Sequence, residues 1–256
     1  MEGKIKIMAK KNKTKLKKIE NHKRINQILL GGLERPAIDW MVRHTPAWVT
    51  PDHLTFLGFL AAILIGVSYW LTNRDPAFLW LANLGFILNW YGDSMDGNLA
   101  RHRHIERPRY GFFIDHTVDT ISETCIFLGF GLSPYVDFPL AALALIGYLS
   151  MANLVYITTS VKGKFKISYG SLGPTEARVI AIFANTFVFF AGNPQITLPF
   201  LGQVYFYNLV VICVIVLLFF FFFYTTITQA IKLEKKDRAK LVKRQKKAAK
   251  KQSAAD

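Results

Sequence analysis

Five acidic side chains, Asp93, Asp96, Asp115, Asp119 and Glu123, stand inside long apolar stretches of the sequence. An acid near the centre of a bilayer costs about 2.5–3.5 kcal/mol on insertion scales, and less toward the interface. On a helix advancing about 100° per residue, Asp93, Asp96, Gly97, Ala100 and Arg101 share an arc of about 140°. Asp115 and Asp119, one turn apart, stack on a single face that Glu123 continues. A short loop joins the two sets, so their helices are expected to be antiparallel neighbours with the four aspartates facing each other. Carboxylates crowded into a partly dry site cannot all ionise without cations. Oxygen ligands select hard divalent ions, Mg2+, Mn2+ or Ca2+, over zinc, and two such ions would clamp a diphosphate. Gly97 and Ala100 remove bulk from the acidic face, and Arg101 offers a planar fork suited to phosphate. The residues alone leave two other readings open: buried ion pairs with Arg101, Arg103 or Arg107, and the lining of a proton or cation path.

The elements that must hold these side chains follow from the distribution of charge. The 256 residues carry 32 Lys+Arg against 17 Asp+Glu, and 52% are hydrophobic. Of the basic residues, 12 lie in 1–52 and 11 in 232–256, which leaves 9 for the whole centre. A soluble basic domain does not empty its centre in this way. Apolar windows of spanning length cover 53–72, 77–96, 112–132, 138–161, 177–192 and 204–231. The breakers between them are Asn73-Arg74-Asp75-Pro76, Ser133-Pro134, Gly192-Asn193-Pro194 and Leu198-Pro199. Lys and Arg number 31 in the tails and in the Arg101–Arg109 and Lys162–Arg178 loops, against Arg74 alone in the opposite connectors. That bias predicts six spans with both termini in the cytoplasm. The expected fold is therefore an all-α integral membrane protein whose six transmembrane helices follow an interfacial amphipathic helix.

The expected organisation is a basic cytoplasmic tail (1–24), an amphipathic interfacial segment (25–50), the six-helix domain (51–232) and a second basic tail (233–256). In the interfacial segment Trp40 and Trp48 serve as anchors and Pro36 is expected to open a helix. The Lys-rich start lacks the apolar region and cleavage site of a signal peptide. Cys125 and Cys213 sit in apolar runs and make no disulfide scaffold. The basic runs are almost free of aromatics, which argues against nucleic acid and for topology or a grip on anionic lipid. Gly58, Ala62 and Gly66 form a small-residue row that permits close packing, within the chain or between chains.

The string Asp93-Ser-Met-Asp96-Gly97-Asn-Leu-Ala100-Arg101, followed by Gly111, Asp115 and Asp119, resembles the signature of the CDP-alcohol phosphotransferase family. The spacer before Gly111 has nine residues where the family usually has eight, so Tyr110 stands where that count puts Gly. The resemblance extends over about 45–232 and takes in Pro51-Asp52-His53-Leu54-Thr55, where members often have Asn in place of Asp52. It implies a membrane enzyme of phospholipid synthesis that transfers a substituted phosphate from a CDP-linked donor to an alcohol hydroxyl and releases CMP. By that analogy Asp93, Asp96, Asp115 and Asp119 hold Mg2+ or Mn2+, two ions in all. Gly97, Ala100, Arg101, Gly111 and Thr55 would then contact the CDP donor. The Asp115-His116-x-x-Asp119 string is similar to that of choline and ethanolamine phosphotransferases, which makes His116 as well as Asp119 a candidate base. The donor is expected to be CDP-diacylglycerol, or else CDP-ethanolamine or CDP-choline, with membrane lipid and a second copy of the chain as partners. A cation or proton transporter is the rival reading. It would place its acids nearer mid-bilayer and gives no reason for the Gly-Ala-Arg row.

Overall fold

The computed structural model describes residues 30–162, 173–199 and 202–252. The expectations for the tail 1–24, for residues 25–29, for the loop charges Lys164 and Lys166 and for 253–256 of the second tail lie outside the described residues. A short helix, α1 (Gly31–His44), precedes α2 (Pro51–Leu71), α3 (Phe78–His102), α4 (Pro108–Gly131), α5 (Phe138–Lys162) and α6 (Pro174–Ala191). Strands β1 (Gln195–Leu198) and β2 (Gly202–Tyr205) then lead into α7 (Phe206–Gln252). Each expected apolar window falls largely on one of α2 to α7. Among the described residues, α2, the 138–161 part of α5 and the 206–246 part of α7 are long and apolar enough to cross a membrane.

Local chemistry sets the starts of these helices. Thr50 Oγ1 accepts from the His53 amide at 3.3 Å while His53 Nδ1 accepts from the Thr50 amide at 3.3 Å, a reciprocal cap with Pro51 in the first turn. Glu176 caps α6 by accepting from the Gly173 amide at 2.8 Å. Pro36 does not open α1, as its type had suggested; it lies inside the helix. The helix starts upstream because the Leu33 and Glu34 amides both donate to Leu30 O, and the partner that Pro36 forgoes one turn back is the carbonyl of Gly32. The chain between α6 and α7 is also more than a connector. Its antiparallel hairpin pairs Gln195 with Tyr205 and Leu198 with Gly202, and Gly192 and Gly202 take left-handed φ angles of 71° and 70° at its edges.

The helices α2 to α7 close into a ring. α3 and α4 both pack on α2; α6 packs on α3, α5 on α4, and α7 joins α5 and α6. The two acid-bearing helices therefore meet through α2, and the packing of one directly on the other, expected from their short loop, is at most slight. The small-residue row on α2 explains how both helices come so close. A Cβ on Gly92 of α3 would stand 2.5 Å from Leu54 O and 2.6 Å from Gly58 N. A Cβ on Gly129 of α4 would stand 2.3 Å from Gly66 Cα. Gly58 and Gly66 thus serve packing within the chain, which answers the question the sequence left open and removes that row as a support for a dimer.

One end of the ring is filled. Ile65, Tyr69, Leu79, Phe86, Phe130 and Tyr207 belong to a single apolar cluster built from the late turns of α2, α4 and α6 and the early turns of α3, α5 and α7. Its polar members are satisfied: Tyr69 Oη donates to Asn185 Oδ1 at 3.0 Å, Tyr207 Oη bonds the same oxygen, and Asn185 Nδ2 donates to Asn83 Oδ1 at 2.8 Å. The opposite end, made by the other halves of the same helices, carries the acids.

Candidate functional site

α3 runs unbroken to His102, so the whole stretch from Asp93 to Arg101 is helical. Each acid on it is held by a neighbouring helix. Asp96 Oδ2 accepts from Thr55 Oγ1 of α2 at 2.7 Å, and Asp96 Oδ1 accepts from the Gly97 amide. Asp93 Oδ2 accepts from Arg178 Nη2 of α6 at 2.8 Å, and Arg178 Nε donates to Asn89 Oδ1 at 2.9 Å. Asn89 in turn donates to Gly58 O at 2.9 Å. This tie adds to the close crossing of α2 and α3 at Gly58 and Gly92.

Across the ring, α4 presents a second group. His116 Nδ1 lies 3.6 Å from Asp115 Oδ2 and 3.8 Å from Asp119 Oδ2. One ligand atom from each of the three lies within 4.8 Å of the others. The His116 ring sits edge-on to Phe112, with centroids 4.2 Å apart, and 5.1 Å from Tyr156 of α5. Asp119 is within electrostatic reach of both Asp93 and Asp96. One turn deeper, Glu123 lies near Tyr148 of α5 and in the field of Arg178. The acids of α3 and α4 thus stand at the same end of the ring, although their helices are held apart by α2. Among the described residues the close-set group is Asp115, His116 and Asp119 of α4, two carboxylates and one imidazole in a half-buried space, a donor set that fits a hard divalent cation.

The remaining expected residues fall around this centre. Gly97 leaves a space that a Cβ would fill at 3.3 Å from the Arg101 guanidinium. Ala100 is half-buried on the same face. Arg101 Nη2 donates to Asn98 Oδ1 at 2.8 Å, and both line a recess of about 500 Å3 with Asp39, Val42, Arg43 and His102, between α1 and the end of α3. Gly111 is exposed, and a Cβ there would meet nothing within 4 Å. Two other basic residues have structural partners. Arg103 donates to the carbonyls of Thr45 at 3.0 Å, Pro46 at 2.9 Å, Ala47 at 3.3 Å and Val49 at 2.5 Å, which staples the α1–α2 turn to the end of α3. Arg107 pairs with Asp52 and stacks over Tyr110 at 4.3 Å.

The sequence counts Arg178 with the charges of the Lys162–Arg178 loop; it stands inside the ring on Asp93. The available signal was a lone cation within the fifth apolar window. Glu34 of α1 had no signal. Its Oε1 collects Trp90 Nε1 at 3.0 Å, Ser94 Oγ at 3.2 Å and Thr175 Oγ1 at 3.1 Å, binding α1 to α3 and α6.

Comparison with known proteins identifies the family of the chain. The CDP-alcohol phosphatidyltransferase family matches residues 48–224. The chain is 30% identical over 139 residues to an archaetidylinositol phosphate synthase of Pyrococcus horikoshii, covering 54% of this chain and 70% of the relative. It is 25% identical over 178 residues to a cholinephosphotransferase 1 of Danio rerio, covering 64% and 45%. It is 32% identical over 168 residues to a CDP-diacylglycerol–serine O-phosphatidyltransferase of Encephalitozoon cuniculi, covering 60% and 41%. The chain thus spans less than half the length of two of these three relatives. The transporter reading gains no support from them. The chain belongs to the CDP-alcohol phosphatidyltransferase family.

Proposed function

We propose that this member of the family is a divalent-metal-dependent enzyme of phospholipid synthesis, moving a substituted phosphate from a CDP-linked donor to an alcohol hydroxyl with release of CMP. The observation that carries the reading is the close-set group of Asp115, His116 and Asp119 on α4, at the same end of the ring as Asp93 and Asp96 on α3. Asp93, Asp96, Asp115 and Asp119 would hold two Mg2+ or Mn2+ ions. When bound, these ions polarise the diphosphate and offset the charge on the departing CMP. Thr55 fixes the orientation of Asp96; Gly97 and Ala100 leave room for the donor, Arg101 meets its phosphates, and Gly111 opens the approach along α4. His116 takes the proton of the acceptor hydroxyl. The carboxylates of Asp115 and Asp119 hold its ring and balance the charge it gains, with Asp119 as the alternative base. The acceptor oxygen forms the new bond to the donor phosphorus, and the bond from that phosphorus to the bridging oxygen of CMP breaks.

The spatial frame belongs to the same proposal. Six spans, α2 to α7, form the catalytic domain 51–232, α1 lies in the cytoplasmic interface, and both basic tails face anionic lipid in the cytoplasm. The lengths of α3 and α4, 25 and 24 residues, support spanning, at about 1.5 Å per residue. A homodimer is retained on the family resemblance alone. Two donor arrangements each have a supporting observation. The Asp115-His116 pair favours CDP-ethanolamine or CDP-choline with diacylglycerol. Similarity to the archaetidylinositol phosphate synthase favours a CDP-linked lipid with a small polar acceptor.

The test is CMP release by purified, lipid-reconstituted protein with Mg2+ or Mn2+. One arm supplies CDP-diacylglycerol with inositol phosphate, glycerol phosphate or serine, and the other CDP-ethanolamine or CDP-choline with diacylglycerol. CMP in one arm names the donor; silence in both, from folded protein, contradicts the assignment.

A further inference from the structure

Arg178 is out of place by every local rule. It lies near the start of α6, where the helix dipole disfavours a cation, and its side chain is only 12% exposed. It is nevertheless held firmly. Nη2 donates to Asp93 and Nε to Asn89, which is itself tied to Gly58 O, so the guanidinium plane is fixed from two sides. The segment that carries it is fixed as well. Glu176, 5% exposed, accepts from the Leu30 amide at 3.0 Å and from Gly173, while Glu34 of α1 links Thr175 to Trp90 and Ser94 beside Asp93. The field of Arg178 reaches Glu123 and Asp119 in addition to Asp93. One cation thus contacts Asp93 of α3 and acts at longer range on Asp119 and Glu123 of α4.

We infer that Arg178 is a positioning residue for the acidic site, a built-in counter-cation that orients Asp93, balances the neighbouring carboxylates in the absence of a divalent ion, and opposes that ion electrostatically once it binds. The inference rests on the proposed role of the aspartates as metal ligands. It ascribes to Arg178 a metal affinity held lower than the carboxylates alone would set.

The experiment uses the full chain in lipid nanodiscs with Mn2+ as the probe. Binding is read by electron paramagnetic resonance, and thermal unfolding is followed with chelator and with Mn2+. Arg178→Gln is expected to melt below wild type in chelator, because the half-buried Asp93 has lost its partner, and to gain more than wild type when Mn2+ is added. Its Mn2+ affinity is expected to rise about tenfold, since a positive charge a few ångströms from the ion has been removed. Arg178→Lys keeps the charge and is expected to bind Mn2+ within about threefold of wild type. Unchanged or weaker Mn2+ binding by Arg178→Gln, the outcome for a residue with a purely structural role, overturns the inference. Should Arg178→Gln fail to fold, Arg178→Lys decides: wild-type affinity supports the inference and a tenfold gain overturns it. Wild-type protein that binds no Mn2+ overturns the metal reading itself, and this inference with it.

Discussion

Replacing Gly92 by Ala tests whether the close crossing of α2 and α3 positions the site. The added Cβ would stand 2.5 Å from Leu54 O, 2.6 Å from Gly58 N and 2.8 Å from Gly58 Cα, all backbone atoms that cannot rotate away. Ordinary contact begins near 3.4 Å, so the helices must part by about 0.9 Å. A rigid shift of that size would stretch the 2.7 Å Thr55–Asp96 and 2.9 Å Asn89–Gly58 hydrogen bonds beyond bonding range. Two lost bonds at about 1 kcal/mol each, added to overpacking of about 1–3 kcal/mol and partly relieved by tilting, give a cost of about 2–4 kcal/mol. For a domain of this size that is a fall of about 5–15 °C in melting temperature. A displacement of about 1 Å between the acids of α3 and α4 would lower the rate about 100-fold. Thermal unfolding and CMP release in nanodiscs measure both effects. Gly32→Ala, where a Cβ meets nothing within 4 Å, serves as the control and is expected to behave as wild type. Wild-type melting and turnover in Gly92→Ala would refute the claim that this crossing sets the geometry.

Three further outcomes are expected. His116→Ala should lower CMP release about 100- to 10,000-fold while leaving donor binding intact, and a rate within about threefold of wild type would remove His116 as the base. Arg103→Met strips four carbonyls of their donor and should destabilise the fold by about 1–3 kcal/mol; an unchanged melting temperature would show that the staple contributes nothing. Glu34→Ala leaves three donors without their shared oxygen, so amide exchange in α1 should quicken selectively; exchange at the wild-type rate would contradict its role as the tie to α3 and α6.

The helices and the acidic face were legible in the sequence because both depend on short-range periodicity. Spacing alone put Asp93, Asp96 and Arg101 on one arc and stacked Asp115 on Asp119. Relations between distant segments were not legible. Nothing local says that α3 and α4 would both lean on α2 instead of packing on each other, because that depends on which glycines meet: Gly58 with Gly92, and Gly66 with Gly129. Arg178 was assigned to a loop by its charge, and only the packing of α6 on α3 brings it to Asp93, 85 positions away in the chain. Pro36 misled because a first-turn preference is statistical, whereas the actual start of α1 is held by Leu30 and a distant glutamate. The hairpin at 195–205 was hidden by the Pro and Gly residues that made the stretch read as loop.

The central claim is that the aspartates of α3 and α4 act together, through a divalent cation, on a CDP-linked donor. The most direct measurement is CMP release by wild type and Asp93→Asn side by side, with Mg2+, with chelator, and with Mg2+ restored after chelation. The account predicts wild-type release that chelation abolishes and Mg2+ restores, and no release from a folded Asp93→Asn protein under any condition. Turnover by Asp93→Asn at the wild-type rate, or wild-type turnover that survives chelation, would contradict it.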